Sequence, residues 1–217
     1  MKYKLVCFDV DGTLVDNIVY SWELFHDFFE VDMAKREEVK KKYYNGEIDY
    51  LQWALHDMGM WMEKKAKKQD FFKAMKDLKL MEGAMEVITE LKKKGMKLAI
   101  ISGSLDIILE KVMPNYKELF DDIFLSHLIF DKEDKLVDAK VTQYDMVKKA
   151  DALRKIAKRE NIDLKETVHI GDHHNDLGVA KIAGLSIAFD CKDDELRKVA
   201  DVVIGKKDLR EVLKYIV

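Results

Sequence analysis

Cysteine, proline and long apolar runs are scarce in this sequence. Its only cysteines are Cys7 and Cys191, and nothing beside Cys191 suggests a metal or redox site, so the usage fits a reducing compartment. No window approaches the length that a transmembrane helix needs. Charged residues follow the first apolar stretch at once, which argues against a signal peptide. These absences predict a cytoplasmic protein that does not enter a membrane.

An excess of positive charge is also lacking. The formal net charge is -3, and there is no basic stripe with interleaved aromatic residues, so a nucleic-acid partner is not expected. Lysine-rich runs such as residues 64–68 are diluted by acids along the chain, and we interpret them as solvated helix faces. Apolar residues make up 48% of the sequence, which is enough for a sizeable core.

The first apolar run ends abruptly in carboxylates. Residues 5–8 are apolar strand formers, and Asp9, Asp11, Gly12 and Thr13 follow them closely. A run this short and this apolar is typical of the buried central strand of a parallel sheet. Ligand sites in open α/β sheets lie at the carboxyl ends of the strands. Two acids at such an end are costly unless a ligand compensates their charge, so this position is a candidate site.

The chain divides into an α/β part and a helical insert. From residue 81 onward, predicted strands alternate with helices, which indicates a doubly wound parallel sheet with right-handed crossovers. Within this part, the predicted strands over 122–130 and 135–141 can pair as a hairpin, and a long amphipathic helix is predicted over 145–161. The intervening region is predicted to be all-helical, with helices over 16–30, 34–44, 49–58 and 60–78. We therefore predict an α/β core domain from residues 1–15 and 81–217, interrupted by a helical domain of residues 16–80.

Polar residues follow three of the predicted strands, although the runs before them are apolar. Because the carboxyl ends of parallel strands meet at one edge of a sheet, these residues are expected to converge. A single pair of acids would be weak support for a site, but three such strand ends have no packing explanation. The three groups are Asp9 with Asp11, Ser102 with Gly103, and Asp172 with Asp176.

These motifs resemble those of the haloacid dehalogenase superfamily of phosphotransferases, and within it the phosphoserine phosphatase-like branch. The likeness is carried by residues 9–13, by Ser102 after residues 98–101, by a lysine before the last motif, and by residues 171–176. It covers the core well and the insert poorly. The resemblance implies a Rossmann-like core and an insert that acts as a cap closing over the site.

The resemblance implies a phosphatase that works through an aspartyl-phosphate. Asp9 would attack phosphorus, and Asp11 would protonate the leaving oxygen and then take a proton from water. Magnesium would bind to Asp9, Asp172 and the backbone oxygen of Asp11, and Asp176 would hold a metal-bound water or orient a lysine.

The remaining site residues would hold the phosphoryl group. Ser102 and the backbone N–H of Gly103 would bind phosphoryl oxygens. Asn175 of the last motif is also predicted to bind the substrate or its phosphate. Among the nearby lysines, the spacing typical of the family selects Lys149. At ~4 Å and an effective dielectric near 20, each pair of like charges costs on the order of 4 kcal/mol. Mg²⁺ and the lysine are therefore needed to offset the repulsion between carboxylate and phosphate.

Two positions depart from the family pattern. Phosphoserine phosphatases carry a glutamate for the substrate ammonium where this chain has Ile18, and the arginine for the substrate carboxylate has no evident counterpart. Arg36 is the only arginine in the insert. We therefore predict a small phosphorylated metabolite as substrate and expect phosphoserine to be a poor one. Imidazoles at His173 and His174 are also unusual. Contact with the substrate and capping of the following helix are both open to them, and we favour a capping or packing role.

Two alternatives remain open from the sequence. A phosphomutase or phosphotransferase of the same superfamily would share every core motif. A non-catalytic sensor that binds metal and phosphate would have lost the nucleophile or a metal ligand, and neither is missing here. A dehalogenase is disfavoured because a halide leaving group does not need the acid that Asp11 supplies. The sequence does not indicate an oligomeric state.

Overall fold

A computed structural model describes residues 2–146 and 148–217. Strands β1 to β9 are Leu5–Phe8, Val15–Asp16, Lys79–Leu80, Lys97–Leu105, Asp122–Phe130, Leu136–Lys140, Thr167–Gly171, Leu185–Phe189 and Val202–Ile204. Helices α1 to α11 are Ser21–Phe28, Met33–Tyr44, Tyr50–Glu63, Lys68–Ala74, Ala84–Lys93, Asp106–Val112, Tyr116–Leu119, Lys149–Glu160, Leu177–Ala180, Asp194–Val199 and Leu213–Ile216. None of these helices has the length and apolarity to cross a bilayer.

In the described part of the chain, seven strands form the main sheet, in the order β6-β5-β4-β1-β7-β8-β9. All neighbouring strands are parallel except β5 and β6, which form the antiparallel edge hairpin predicted from the sequence. The first strand lies at the centre, between β4 and β7. The predicted α/β sheet is thus confirmed, and the strand bearing Asp9 is its middle strand.

Both faces of the sheet are covered, because successive side chains of each strand point to opposite sides. Val6 and Phe8 of β1 belong to one apolar cluster with residues of α5, whereas Leu5 and Cys7 belong to another with residues of α8. All four side chains are fully buried. Helices on both faces make the sheet doubly wound and leave its carboxyl edge as the accessible part.

A short ribbon joins the two ends of the insert. Strands β2 and β3 pair antiparallel, with Val15 opposite Leu80. The predicted boundary between core and cap falls within this ribbon. Asp16, at the start of the predicted helix over 16–30, instead belongs to β2 and forms ion pairs with Lys79 and Lys207. The predicted helix over 16–30 is therefore wrong at its start, and α1 begins only at Ser21.

The helices after α1 also differ from the sequence prediction. α2 matches the predicted segment, but α3 continues through Gly59 to Glu63. A capping box at Asp49 begins α3, and the buried Met58, Met60 and Trp61 hold its second half in place. That buried apolar contact outweighs the roughly 1 kcal/mol cost of a glycine inside a helix. The predicted fourth helix over 60–78 is therefore shorter in the structure, where α4 spans only Lys68–Ala74.

Two further boundaries bear on the site. β4 continues through Ser102 and Gly103 to Leu105 instead of ending before them. α8 begins at Lys149 instead of Asp145, so Asp145 lies in the connection from β6. Val147 of that connection lies outside the described residues. The shorter helix leaves the Asp145 side chain available to turn toward the sheet edge.

Candidate active site

The three predicted groups of polar residues meet at one cavity. Asp9, Asp11, Ser102, Gly103 and Asp172 line its floor at the carboxyl edge of β1, β4 and β7. Residues of α1, α2 and α3, together with residues of the connections after β2, β6 and β7, line the rest of it. The cavity has a volume of about 180 Å³. A space of this size, enclosed between sheet edge and insert, suits a small-molecule substrate.

A cluster of carboxylates lies at the cavity floor. Asp9, Asp172 and Asp176 each present an oxygen, and these oxygens lie within 4.8 Å of one another. The Lys149 Nζ donates hydrogen bonds to Asp9 Oδ1 at 2.6 Å and to Asp176 Oδ1 at 2.8 Å. The Lys149 side chain is fully buried. The lysine selected by the spacing typical of the family therefore reaches the cluster.

Burial and mutual repulsion change the pKa values in this cluster. Burial, with the neighbouring acids adding to it and Lys149 opposing it, raises the pKa of Asp9 to about 7. Burial and the Asp9 carboxylate raise the pKa of Asp172 well above its ordinary value. Although burial acts in the opposite sense, Lys149 and His169 hold the pKa of Asp176 below its usual range. One lysine thus balances only part of the negative charge.

A divalent cation fits this excess of carboxylate. Hard cations prefer such oxygen ligands, and a bound cation would stabilise the ionised forms that burial disfavours. Gly12 provides a second indication, because a Cβ at that position would lie 2.2 Å from Asp172 Oδ2. Its φ of +73° also favours glycine. The chain therefore passes close to the Asp172 carboxylate and leaves no room for a side chain there.

The Asp11 carboxylate points away from the cluster and into a separate set of hydrogen bonds. Its Oδ1 accepts from Ser104 Oγ at 2.7 Å, and its Oδ2 accepts from the backbone N–H of Ser21 at 2.7 Å. Burial raises the pKa of Asp11, and the hydrogen bonds from Ser104 and Ser21 oppose that effect. Neither serine was identified from the sequence, although Ser104 stands two residues from Ser102 in the same motif.

The residues predicted to bind phosphoryl oxygens lie on the same floor. Ser102 Oγ accepts a hydrogen bond from the Ser104 N–H at 3.2 Å. The Gly103 carbonyl accepts one from Trp22 Nε1 at 3.0 Å, which fixes the orientation of this peptide. Asn175 Nδ2 donates to Asp145 Oδ1 at 2.9 Å, and its buried Oδ1 has no partner among the described residues.

Asp145 is a site residue that sequence reasoning missed. Its Oδ2 accepts a hydrogen bond from Tyr50 Oη of α3 at 2.7 Å, so it connects the insert to Asn175 of the core. A Cβ on Gly103 would lie 2.0 Å from the Asp145 carboxyl carbon. The sequence predicts that Asp145 begins a helix, and no motif distinguishes its carboxylate from the other acids of the chain.

The histidines near the last motif have distinct positions. His173 Nδ1 accepts from the His174 N–H at 2.8 Å at the start of a 3₁₀ turn, so the expected capping contact is present. The Tyr20 hydroxyl also lies 3.0 Å from His173 Nε2. His169 was not singled out because it lies within an apolar strand. Its Nε2 lies 2.9 Å from Asp176 Oδ1 and helps to fix that carboxylate.

Comparison with known proteins identifies the family of this chain. A family model described as haloacid dehalogenase-like hydrolase matches residues 3–184. The chain belongs to this family. The hydrolase is 38% identical to a phosphoserine phosphatase of Methanocaldococcus jannaschii, over 99% of this chain and 98% of the relative. It is also 30% identical to a phosphoserine phosphatase of Mycobacterium tuberculosis, over 97% of this chain and 49% of that longer protein.

Solved structures give the same result. A phosphoserine phosphatase determined as a phospho-aspartyl intermediate analogue superimposes with a TM-score of 0.76 at 35% identity, covering both chains completely. A substrate-bound phosphoserine phosphatase complex superimposes with a TM-score of 0.77 at 34% identity, again over both full chains. The predicted family and the hydrolysis of a small phosphomonoester are thereby confirmed, and phosphatases of this family generally use a divalent metal.

Proposed function

We propose that Asp9 is the nucleophile of this phosphatase and forms an aspartyl-phosphate with its substrate. The observation that best supports this assignment is the hydrogen bond from Lys149 Nζ to Asp9 Oδ1 at 2.6 Å, which fixes the carboxylate at the cavity floor. No hydrogen bond to the second oxygen of Asp9 is found among residues 2–146 and 148–217, so that oxygen is the one we assign to the attack. A fixed nucleophile reduces the entropy that the reaction must lose.

We assign Mg²⁺ as the metal, held by Asp9, Asp172, Asp176 and the backbone oxygen of Asp11. When bound, it would neutralise the charge of the nucleophile and of the phosphoryl oxygens. The closely spaced carboxylate oxygens support this assignment, because magnesium prefers oxygen ligands and keeps several waters. Asp176 also fixes Lys149, so its substitution would disturb both the metal site and the lysine.

We assign general acid and base catalysis to Asp11. Its raised pKa favours the protonated carboxyl group that the leaving oxygen requires. After transfer, the resulting carboxylate would take a proton from the attacking water. The hydrogen bonds from Ser104 and from the Ser21 N–H keep the group in place in either form. For an alkyl phosphate, we expect activity to fall as pH rises through the pKa of Asp11.

We assign phosphoryl binding to Ser102, the Gly103 N–H, Lys149 and Asn175. The burial of Ser102 supports a polar ligand at this position, and the amide oxygen of Asn175, which has no partner among the described residues, would accept a hydrogen bond from a donor on that ligand. Residues 16–80 would form the cap. The Trp22 contact with the Gly103 carbonyl and the Ser21 contact with Asp11 connect this segment directly to the catalytic residues.

Phosphoserine is the first substrate to compare. The relatives are phosphoserine phosphatases, and this chain differs from the pattern of that branch at Ile18, which is not among the residues lining the cavity. An apolar side chain there cannot hold an ammonium group. We therefore expect a lower kcat/KM for phosphoserine than for other small phosphomonoesters, and a clear preference for phosphoserine would contradict this part of the proposal.

The decisive experiment is turnover of p-nitrophenyl phosphate by the wild-type chain and by Asp9→Asn, with Mg²⁺ and with EDTA. We expect activity only in the wild type with Mg²⁺. Trapping with fluoroberyllate, followed by structure determination, should place the phosphoryl mimic on Asp9. Metal-independent turnover, or full activity of Asp9→Asn, would overturn the assignment.

A further inference from the structure

One face of α2 presents two cations to the cavity. Arg36 and Lys40 are four residues apart, which places them on the same side of the helix, and both line the cavity that contains Asp9. The Arg36 side chain is only 9% exposed. A nearly buried guanidinium in a substrate cavity needs partners for its donors, because unpaired buried charge is costly.

Arg36 is held from behind by Asp57 of α3. Its Nε donates to Asp57 Oδ2 at 3.1 Å, and His26 Nε2 lies 3.0 Å from the same oxygen. Trp61 Nε1, which can only donate, bonds to His26 Nδ1 at 3.1 Å. His26 Nδ1 therefore accepts, its proton is on Nε2, and the ring is neutral.

This arrangement leaves the end of the guanidinium available. Because His26 is neutral and His56 reaches the other Asp57 oxygen only at 3.5 Å, Arg36 is the permanent cation paired with Asp57. Among the described residues, no hydrogen bond from the two terminal nitrogens of Arg36 is found. Those nitrogens form the fork that binds a carboxylate or phosphate through two bonds.

We propose that Arg36 and Lys40 form a subsite for a second anionic group, a carboxylate or phosphate carried by the leaving alcohol of the substrate. This inference rests on the proposed phosphatase function and names its substrate class. Trp22, Trp53 and Tyr44 also line the cavity, so the part of the leaving group between the two anions meets aromatic surfaces.

The acids of the cavity do not form an equivalent subsite for an ammonium group. Asp57 is paired with Arg36, and both oxygens of Asp145 accept hydrogen bonds, from Tyr50 and from Asn175. Glu23 lines the cavity but is exposed to water. An added positive charge on the leaving group therefore gains little from the buried part of this cavity.

Matched substrates test the subsite. The wild-type enzyme with Mg²⁺ is assayed on phenyl phosphate, on 4-carboxyphenyl phosphate and on 1,4-phenylene bisphosphate, which share one aromatic body. A flexible pair isolates the sign of the charge, with 3-(phosphonooxy)propanoate carrying a carboxylate and phosphoethanolamine an ammonium. We expect kcat/KM for each aromatic substrate with a second anionic group to be at least about tenfold higher than for phenyl phosphate. The same ratio is expected for 3-(phosphonooxy)propanoate over phosphoethanolamine, because charge-assisted hydrogen bonds would hold the added anion. The larger of the two ratios to phenyl phosphate, for 4-carboxyphenyl phosphate or for 1,4-phenylene bisphosphate, identifies whether a carboxylate or a phosphate is preferred.

Three variants assign the preference to these residues. Arg36→Lys keeps the charge but loses the fork, Lys40→Met removes a partly exposed charge, and Lys41→Met on the exposed side of α2 is the matched control. We expect the ratio of kcat/KM between matched substrates to fall at least about fivefold in the first two variants and to stay constant in Lys41→Met.

The outcomes separate the subsite from the phosphatase function. Equal kcat/KM for all members in the wild type, or a ratio unchanged in both Arg36→Lys and Lys40→Met, would overturn the subsite while leaving the phosphatase intact. Absence of turnover of every substrate with Mg²⁺ would instead sink the proposed function. Thermal unfolding of each variant checks that the fold is kept, and Lys40→Met, at a partly exposed position, remains informative if Arg36→Lys is unstable.

Discussion

Replacing Asp9, the proposed nucleophile, with asparagine should stabilise the metal-free protein. Burial raises the pKa of this carboxyl group from 3.8 to about 7. The folded state therefore holds a proton that the unfolded chain releases, and stability is lost as pH rises between about pH 4 and about pH 7. Each pKa unit corresponds to about 1.4 kcal/mol. The Asp9 carboxyl group therefore costs about 4 kcal/mol of stability at pH 8, where it is buried in its ionised form, and about 2 kcal/mol at pH 5, where folding must protonate it. The neutral amide avoids this cost and still offers an oxygen to Lys149.

Urea unfolding in EDTA, followed by tryptophan fluorescence, measures this difference. The Asp9→Asn variant should gain more stability over the wild type at pH 8 than at pH 5. Adding Mg²⁺ should stabilise the wild type more than the variant, because the ion binds the ionised carboxylate. Asp27→Asn, the same change at an exposed position of α1, is the control and should shift neither curve. A variant less stable than the wild type at pH 8, or a gain independent of pH, would refute this reasoning.

Three further substitutions test other parts of the site. Lys149→Met leaves buried carboxylates uncompensated and should lower the free energy of unfolding by about 3 to 5 kcal/mol at pH 8 in urea titrations, with a smaller loss at pH 5. Gly12→Ala should abolish divalent-ion binding in calorimetry, because its Cβ would collide with Asp172. Asp145→Asn removes a negative charge beside Gly103, so inhibition by inorganic phosphate should strengthen about tenfold.

Each of these has a contrary outcome. An unfolding free energy of Lys149→Met that matches the wild type at pH 8 would mean that the lysine does not balance the acids. Normal ion binding by Gly12→Ala would show that the Asp172 carboxylate binds no ion in this position. For the third, Asp151→Asn on the exposed side of α8 is the control, and equal phosphate inhibition in both variants would exclude a repulsive role for Asp145.

The sequence predicted the parts of the site that follow strands. Asp9, Ser102 and Asp172 each end an apolar run, and parallel pairing alone brings such ends together. It could not reveal the pair formed by Arg36 and Asp57, because their contact depends on how α2 packs against α3. The register of that packing is set by many weak apolar contacts and leaves no local pattern in the sequence.

The boundaries missed by the sequence have a similar cause. A glycine often ends a helix, yet α3 continues through Gly59 because the neighbouring Met58 and Met60 are packed in the core. Asp145 was assigned to α8 from its position in an amphipathic pattern, whereas its carboxylate is held by Tyr50 and Asn175. In both positions, contacts that are distant in sequence outweigh the local propensity.

The ribbon of β2 and β3 has a consequence for how this chain tolerates change. The polypeptide departs from the sheet and comes back at adjacent positions, and the Met81 N–H bonds to the Leu14 carbonyl at 2.8 Å directly beside the ribbon. The span between them can therefore lengthen, shorten or be exchanged without displacing Asp9 from the central strand. Because the crossing point stays fixed, the excursion can differ in what it recognises while β1 keeps its place, provided that the contacts of Ser21 and Trp22 with the core are retained.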